Sequence, residues 1–346
     1  MELINTKAYM ERLRAAKDVE SYAVFVYDHG EETLITSPNV NGDTYFDCAS
    51  MGKVLVTSTL ILRAAGEGRL SLDDTLPRFF ADVPADKRDI TVRMLLTHTS
   101  GILRRDFDKA TADAGKDAIT AYILSVPLGF APGTDYTYSC SGYILLGYIA
   151  EKCYGMPLDT LYLSTVRPAL GLPDMCFDLP IDAPNAADCC RRREIGDCRC
   201  DDELVSMMHG VAGNGASFWT MNDMRVYLHA VMTRSPSLYD ARFFDEAETN
   251  LTPTLSEGRG LGYLVINERY KQGGRLFPVG SFGHCGHTGQ SFFVDRAHDR
   301  YVVLLTDATR CEFRKNNDRD DYGVVMRMRA AVHDRIAEDL ADNGRN

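Results

Sequence analysis

The chain lacks any run of eighteen apolar residues, and residues 1–20 carry charges throughout with no apolar stretch of signal-peptide length. No membrane-spanning helix or export signal is read from it, so the expectation is a cytoplasmic protein whose ten cysteines are reduced thiols. Basic stripes are missing too. The net charge of -11 excludes the electrostatic footprint of a nucleic-acid binder, and Arg191-Arg192-Arg193 is the only dense basic cluster. No internal repeat or low-complexity linker divides the 346 residues. With 45% of them hydrophobic, they suffice for one large domain or two intertwined lobes.

What is present is a helical middle flanked by strands at both ends. Residues 5–16 read as an amphipathic helix, and 21–28 and 32–37 as strands joined at His29-Gly30. Helices read over 92–96 behind a Thr91 cap, 116–124, 142–154, and 222–233 behind Thr220. Strands then read over 261–266, 289–295 and 301–307, with a closing helix over 321–340. The expected fold class is α+β. One antiparallel sheet is built from both termini (residues 1–73 and 256–346) and covered by terminal helices, with a mostly helical lobe, 74–255, inserted.

The segment Phe46-Asp47-Cys48-Ala49-Ser50-Met51-Gly52-Lys53 turns a short extended run into a helix reading over 50–67. Residues three apart share a helix face, so the Lys53 amine reaches back to the Ser50 hydroxyl. The helix amino terminus favours a developing anion at the same place. Ser50 is therefore the candidate nucleophile and Lys53 a candidate proton acceptor. A nucleophile of this kind needs a proton-transfer partner, an oxyanion site and a scaffold that gathers distant segments. Three segments qualify: Leu95-Leu96-Thr97-His98-Thr99-Ser100-Gly101, Tyr136-Thr137-Tyr138-Ser139-Cys140, and His284-Cys285-Gly286-His287-Thr288-Gly289-Gln290.

At these residues the chain resembles the serine hydrolases that include penicillin-binding D-alanyl carboxypeptidases, class C β-lactamases and family VIII carboxylesterases. Their signature of Ser-x-x-Lys, Tyr-x-Asn and Lys/His-Thr-Gly recurs in order at Ser50 to Lys53, Tyr138 to Cys140, and His287 to Gly289. The resemblance also takes in residues 70–74, 97–101 and 210–215. It implies that Ser50 forms an acyl-enzyme while Lys53 and Tyr138 share the proton transfers. It further implies that the backbone NH groups of Ser50 and Gln290 hold the oxyanion, and that His287, Thr288 and Gly289 line the sheet edge with Cys140 across from them. The implied partner is a small ester, amide or lactam, with no metal, cofactor, nucleic acid or membrane.

Cys140 stands where the family carries asparagine, whose amide both donates and accepts. A thiol replaces that contact weakly, so small esters or amides are expected, with β-lactam hydrolysis secondary. The rivals are a D-amino-acid peptidase or amidase and a catalytically silent binding homologue. Cys189, Cys190, Cys198 and Cys200 lack Cys-x2-Cys spacing and read as packed thiols rather than a zinc site. His284, Cys285 and His287 are not expected to converge, since alternation puts 284 on the opposite strand face from 285 and 287. His98 reads as a structural hydrogen-bonding residue. The glycines at 210, 213 and 215 follow a helix, which argues against a phosphate loop.

Overall fold

The computed structural model describes residues 1–180, 183–190, 200–215, 217–270, 272–309 and 322–345. Helix α1 (Ile4–Ala15) leads into a hairpin of β1 (Tyr22–Asp28) and β2 (Glu31–Thr36). The two-residue turn works because His29 and Gly30 both adopt positive φ, at 50° and 83°. Strand β3 (Phe46–Asp47) pairs across the molecule with β4 (Phe218–Trp219). The remaining strands are β5 (Gly258–Arg259), β6 (Leu264–Val265), β7 (Phe282–Cys285), β8 (Ser291–Asp295) and β9 (Arg300–Thr306). They join the hairpin in one antiparallel sheet of order β2-β1-β9-β8-β7-β6-β5.

Both ends of the chain meet in this sheet, since β1 is flanked by β2 and by β9, with Phe25 opposite Val303. Alternation sends Val24, Val26, Val302 and Leu304 to one face, where they pack with Met10 of α1 and with Val332 and Ile336 of the closing helix, Tyr322–Asp342. Phe25, Val303 and Leu305 face the other way, into the larger core beneath the helices. The two terminal helices are also tied by polar contacts: Asp339 accepts from the backbone NH groups of Asn5 and Thr6 at 2.7 and 2.9 Å. Those NH groups lie in the first turn of α1, where no helical partner exists.

The strands differ from the sequence expectation in several places, and the two-residue β4 and β5 are not read from sequence. The run 261–266 is cut to Leu264–Val265 because Gly262 sits at φ +95, where its missing Cβ leaves room for the Ser58 hydroxyl. β7 is not read from sequence as a strand separate from β8. Its Gly283 hides the pattern, and it is required, since a Cβ there would come 2.0 Å from the Phe292 carbonyl of β8.

Candidate active site

Ser50 is held by a strained approach. Asp47, on β3, accepts the Ala49 NH at 2.8 Å and the Asp201 NH at 2.7 Å, and Ala49 takes a left-handed φ of 45°. A non-glycine residue there costs roughly 1–2 kcal/mol. The strain turns the chain sharply, so that Ser50 enters a helical run rather than continuing β3. That run is not one regular α-helix. A 3₁₀ turn, Ala49–Met51, passes into a π-helical stretch, Lys53–Ser58, before α2 (Thr59–Gly66) begins. Thr59 closes that wide turn twice over, its backbone NH and its Oγ1 (at 3.1 Å) both donating to the Val54 carbonyl.

The spacing argument holds in spite of the irregular helix. Lys53 is fully buried, and its amine donates to Ser50 Oγ at 2.9 Å and to the Asn214 carbonyl at 2.5 Å. Among the described residues it has no carboxylate within ion-pair distance. Tyr138 arrives from a distant part of the chain, just ahead of the helix Cys140–Tyr154, where Ser139 Oγ caps the Gly142 NH at 2.9 Å. The Lys53 amine lies 5.0 Å from the Tyr138 ring centre. His98, in a left-handed turn at φ 59, places its ring 4.6 Å from that of Tyr138, and its Nδ1 accepts the Ser139 NH at 3.1 Å. It is thus the bracket that fixes Tyr138.

The third wall is the end of β7. His284 is buried, its ring 6.4 Å from that of Tyr138. Gly286 follows closely: a Cβ there would lie 2.7 Å from the Cys48 carbonyl, two residues before the nucleophile. One cavity of about 1200 Å³ is lined by Ser50, Tyr138, Cys140, His284, Cys285 and His287, among others. Ser50, Lys53, Tyr138, Cys140 and His287 are therefore gathered at one place.

Thr288, Gly289 and Gln290 do not line that cavity. Thr288 Oγ1 donates to the Asp47 carbonyl at 2.9 Å, Gln290 Nε2 donates to the Thr306 carbonyl at 2.8 Å, and a Cβ on Gly289 would strike Thr306. All three sit behind the edge. The sheet edge therefore falls on His284-Cys285-Gly286, one triplet earlier than the resemblance implies; His284 turns to Tyr138 while Cys285 turns to Tyr270 and Gln272, so the three residues do not converge on one ligand position, as alternation leads one to expect. His-x-Gly occurs twice in a row, and in the structure the first copy continues from Phe282 as β7 while the second lies beyond its end.

Of the cysteines considered for zinc, Cys189, Cys190 and Cys200 are buried free thiols, and Cys198 lies outside the described residues. No cluster of three or more His, Cys, Asp or Glu able to hold a metal is found among the described residues. Nor does any described helix have the length and apolarity to cross a membrane. The Arg191-Arg192-Arg193 cluster also lies outside the described residues.

The sequence model of the Beta-lactamase family matches residues 6–323. The chain belongs to the beta-lactamase family. It is 27% identical over 320 residues to the N-acetylmuramyl-L-alanine amidase of Bacillus subtilis, an alignment covering 80% of this chain and 71% of that one. It is 25% identical over 300 residues to a putative D-alanyl-D-alanine carboxypeptidase of Escherichia coli K12, covering 76% and 69%. Among solved structures, a class C beta lactamase from Rhodobacter sphaeroides superposes with a TM-score of 0.74 at 19% identity, over 97% of this chain and 99% of that one. The protein is a beta-lactamase-family serine hydrolase with the α+β fold of that family.

Buried ionisable groups set how this beta-lactamase-family fold responds to acid. Burial pushes the His98 and His284 imidazoles well below their ordinary value, helped by the nearby positive charge of Arg259, and it takes His333 down to about 4. Below about pH 6.5 the unfolded chain binds protons on these rings that the native chain refuses, so their stabilisation is present above that pH and is lost on acidification. Asp47 acts the other way. Burial raises its carboxyl to about 7, so its contribution is present at low pH and lost as pH rises through 7. Three rings outweigh one carboxyl. The denaturant midpoint is expected to fall from pH 6.5 to pH 4, and a midpoint that rises over this range contradicts the assignment.

Proposed function

We propose that the protein hydrolyses small esters or amides by acyl transfer through Ser50. The observation that carries this reading is the 2.9 Å contact between the buried Lys53 amine and Ser50 Oγ, made inside a cavity that Tyr138 also lines. Ser50 Oγ attacks the substrate carbonyl, and its proton leaves along the Lys53 contact, with Tyr138 and Lys53 handling transfer to the leaving group. Water then attacks the acyl-enzyme and the same pair returns the proton to Ser50.

The developing oxyanion is assigned to the backbone NH groups of Ser50 and His287. His287 is favoured over Gln290 because it faces the cavity and because the Gly286 main chain packs against Cys48. His284 lines the wall as a neutral imidazole, so it offers hydrogen bonds rather than a charge to the substrate. Cys140 offers a weak donor where a substrate amide side chain would otherwise be gripped. This supports esters and small amides ahead of lactams and peptides.

The test is incubation with p-nitrophenyl butyrate and with a fluorophosphonate, followed by intact-mass measurement and peptide mapping. Turnover and an adduct on Ser50, both absent in Ser50→Ala, are expected. An adduct on Cys140, or turnover that survives Ser50→Ala, would overturn the proposal.

A further inference from the structure

The wall beside Tyr138 contains a second buried cation that the Ser50 mechanism does not use. Arg259 is 3% exposed, and its guanidinium carbon lies 5.2 Å from the Tyr136 ring centre and 5.6 Å from that of Tyr138. Only one of its nitrogens is occupied: Nη2 donates to Glu257 Oε2 at 2.6 Å and to Tyr136 Oη at 2.7 Å. Nε and Nη1 are buried and have no hydrogen-bond partner among the described residues. Leaving two charged N–H groups unpaired is costly, and it is tolerated where the field of the charge is used.

The backbone around Arg259 allows it little freedom. A Cβ on Gly258 would come 2.3 Å from the Val265 carbonyl, and one on Gly260 would come 1.9 Å from the Ala247 carbonyl. The strand therefore fixes the main chain from which the guanidinium reaches Tyr138, and the Lys53 amine lies 5.0 Å from the same ring.

We propose that Arg259 is a positioning residue that acts through Tyr138, stabilising the negative charge on its oxygen whenever that oxygen has given up its proton. This rests on the Ser50 reading above, in which Tyr138 moves protons. The described rings around it do not supply that charge. His98 and His284 are both kept neutral by burial, and Tyr143 is itself pushed up to about 12 by burial. Among the described residues, Lys53 and Arg259 are the cations beside the Tyr138 ring, and Lys53 is committed to Ser50. Glu257 offsets part of the guanidinium charge through Nη2, so its removal strengthens the effect that loss of Arg259 weakens.

The experiment is the pH profile of kcat/KM for p-nitrophenyl butyrate, from pH 5 to 10, for the parent, Arg259→Met, Arg259→Lys and Glu257→Gln. Melting temperature and fluorophosphonate labelling are measured alongside. Arg259→Met is expected to move the acidic limb up by roughly one pH unit, which costs about tenfold in rate at a pH below the limb. Arg259→Lys recovers most of that shift, and Glu257→Gln moves the limb to lower pH. An unmoved limb in folded Arg259→Met, or shifts of the same sign in Arg259→Met and Glu257→Gln, overturns the proposal. So does a rise in KM confined to substrates bearing a carboxylate, which would make Arg259 a substrate contact instead. If Ser50 is not the nucleophile, the parent is neither labelled nor active. That outcome is distinct from an unmoved limb in an active enzyme.

Discussion

Lys53→Met is expected to lower the rate of acylation by roughly 10²–10⁴-fold while leaving the melting temperature unchanged or higher. The two outcomes come from the same feature. The amine is fully buried with a hydroxyl and a carbonyl as its hydrogen-bond partners, so exchanging it for an apolar chain of similar length removes a desolvated polar group without opening a void. The chemistry loses its proton path from Ser50 at the same stroke. Stopped-flow acylation with p-nitrophenyl butyrate and differential scanning calorimetry measure the two quantities. A variant that is both slower and strongly destabilised would mean that Lys53 is chiefly structural, and one that acylates at the parent rate would remove it from the mechanism.

Gly213→Ala is expected to have the largest effect on stability. A Cβ there would lie 2.1 Å from the Tyr143 carbonyl and 2.8 Å from the Gly147 nitrogen, both main-chain atoms of the helix Cys140–Tyr154. No side chain can swing away to relieve that contact, so the loop and the helix must part. The cost is about 3 kcal/mol, the upper part of the range for overpacked sites. A fall in melting temperature of roughly 5 °C follows. The next residue, Asn214, supplies the carbonyl that holds Lys53, so slower acylation should accompany the lower melting point. An alanine variant with the parent's melting temperature would show that this approach is looser than described.

These close contacts also explain what was legible in the sequence. The glycines at 210, 213 and 215 do not form a phosphate loop; Gly213 is small because it packs against the backbone at Gly147. Ser50, Lys53 and Tyr138 were readable because a short spacing on a helix and an ordered signature each leave local traces. The helices did well for the same reason: Thr91, Ser139 and Thr220 cap their own first turns, and Thr220 forms a reciprocal box with Asp223. β7 and the shift from His287 to His284 were not readable, because nothing local distinguishes two adjacent His-x-Gly triplets. Only pairing with β8, which sets Cys285 opposite Ser291, decides which copy is strand and which is turn. Arg259 escaped notice likewise. Its meaning comes from Tyr136 and Tyr138, more than a hundred residues away in sequence.

The placement of β1 beside β9 bears on how the molecule is made. The first hairpin is synthesised early, yet the neighbour that covers its inner edge is some 280 residues further on. At about 5–20 residues per second a ribosome needs roughly 15–60 s to deliver it. During that interval Tyr22 to Asp28 presents an open edge and an apolar face that must be shielded from other nascent chains. The order of synthesis thus leaves the first hairpin without its β9 neighbour until the chain is nearly finished.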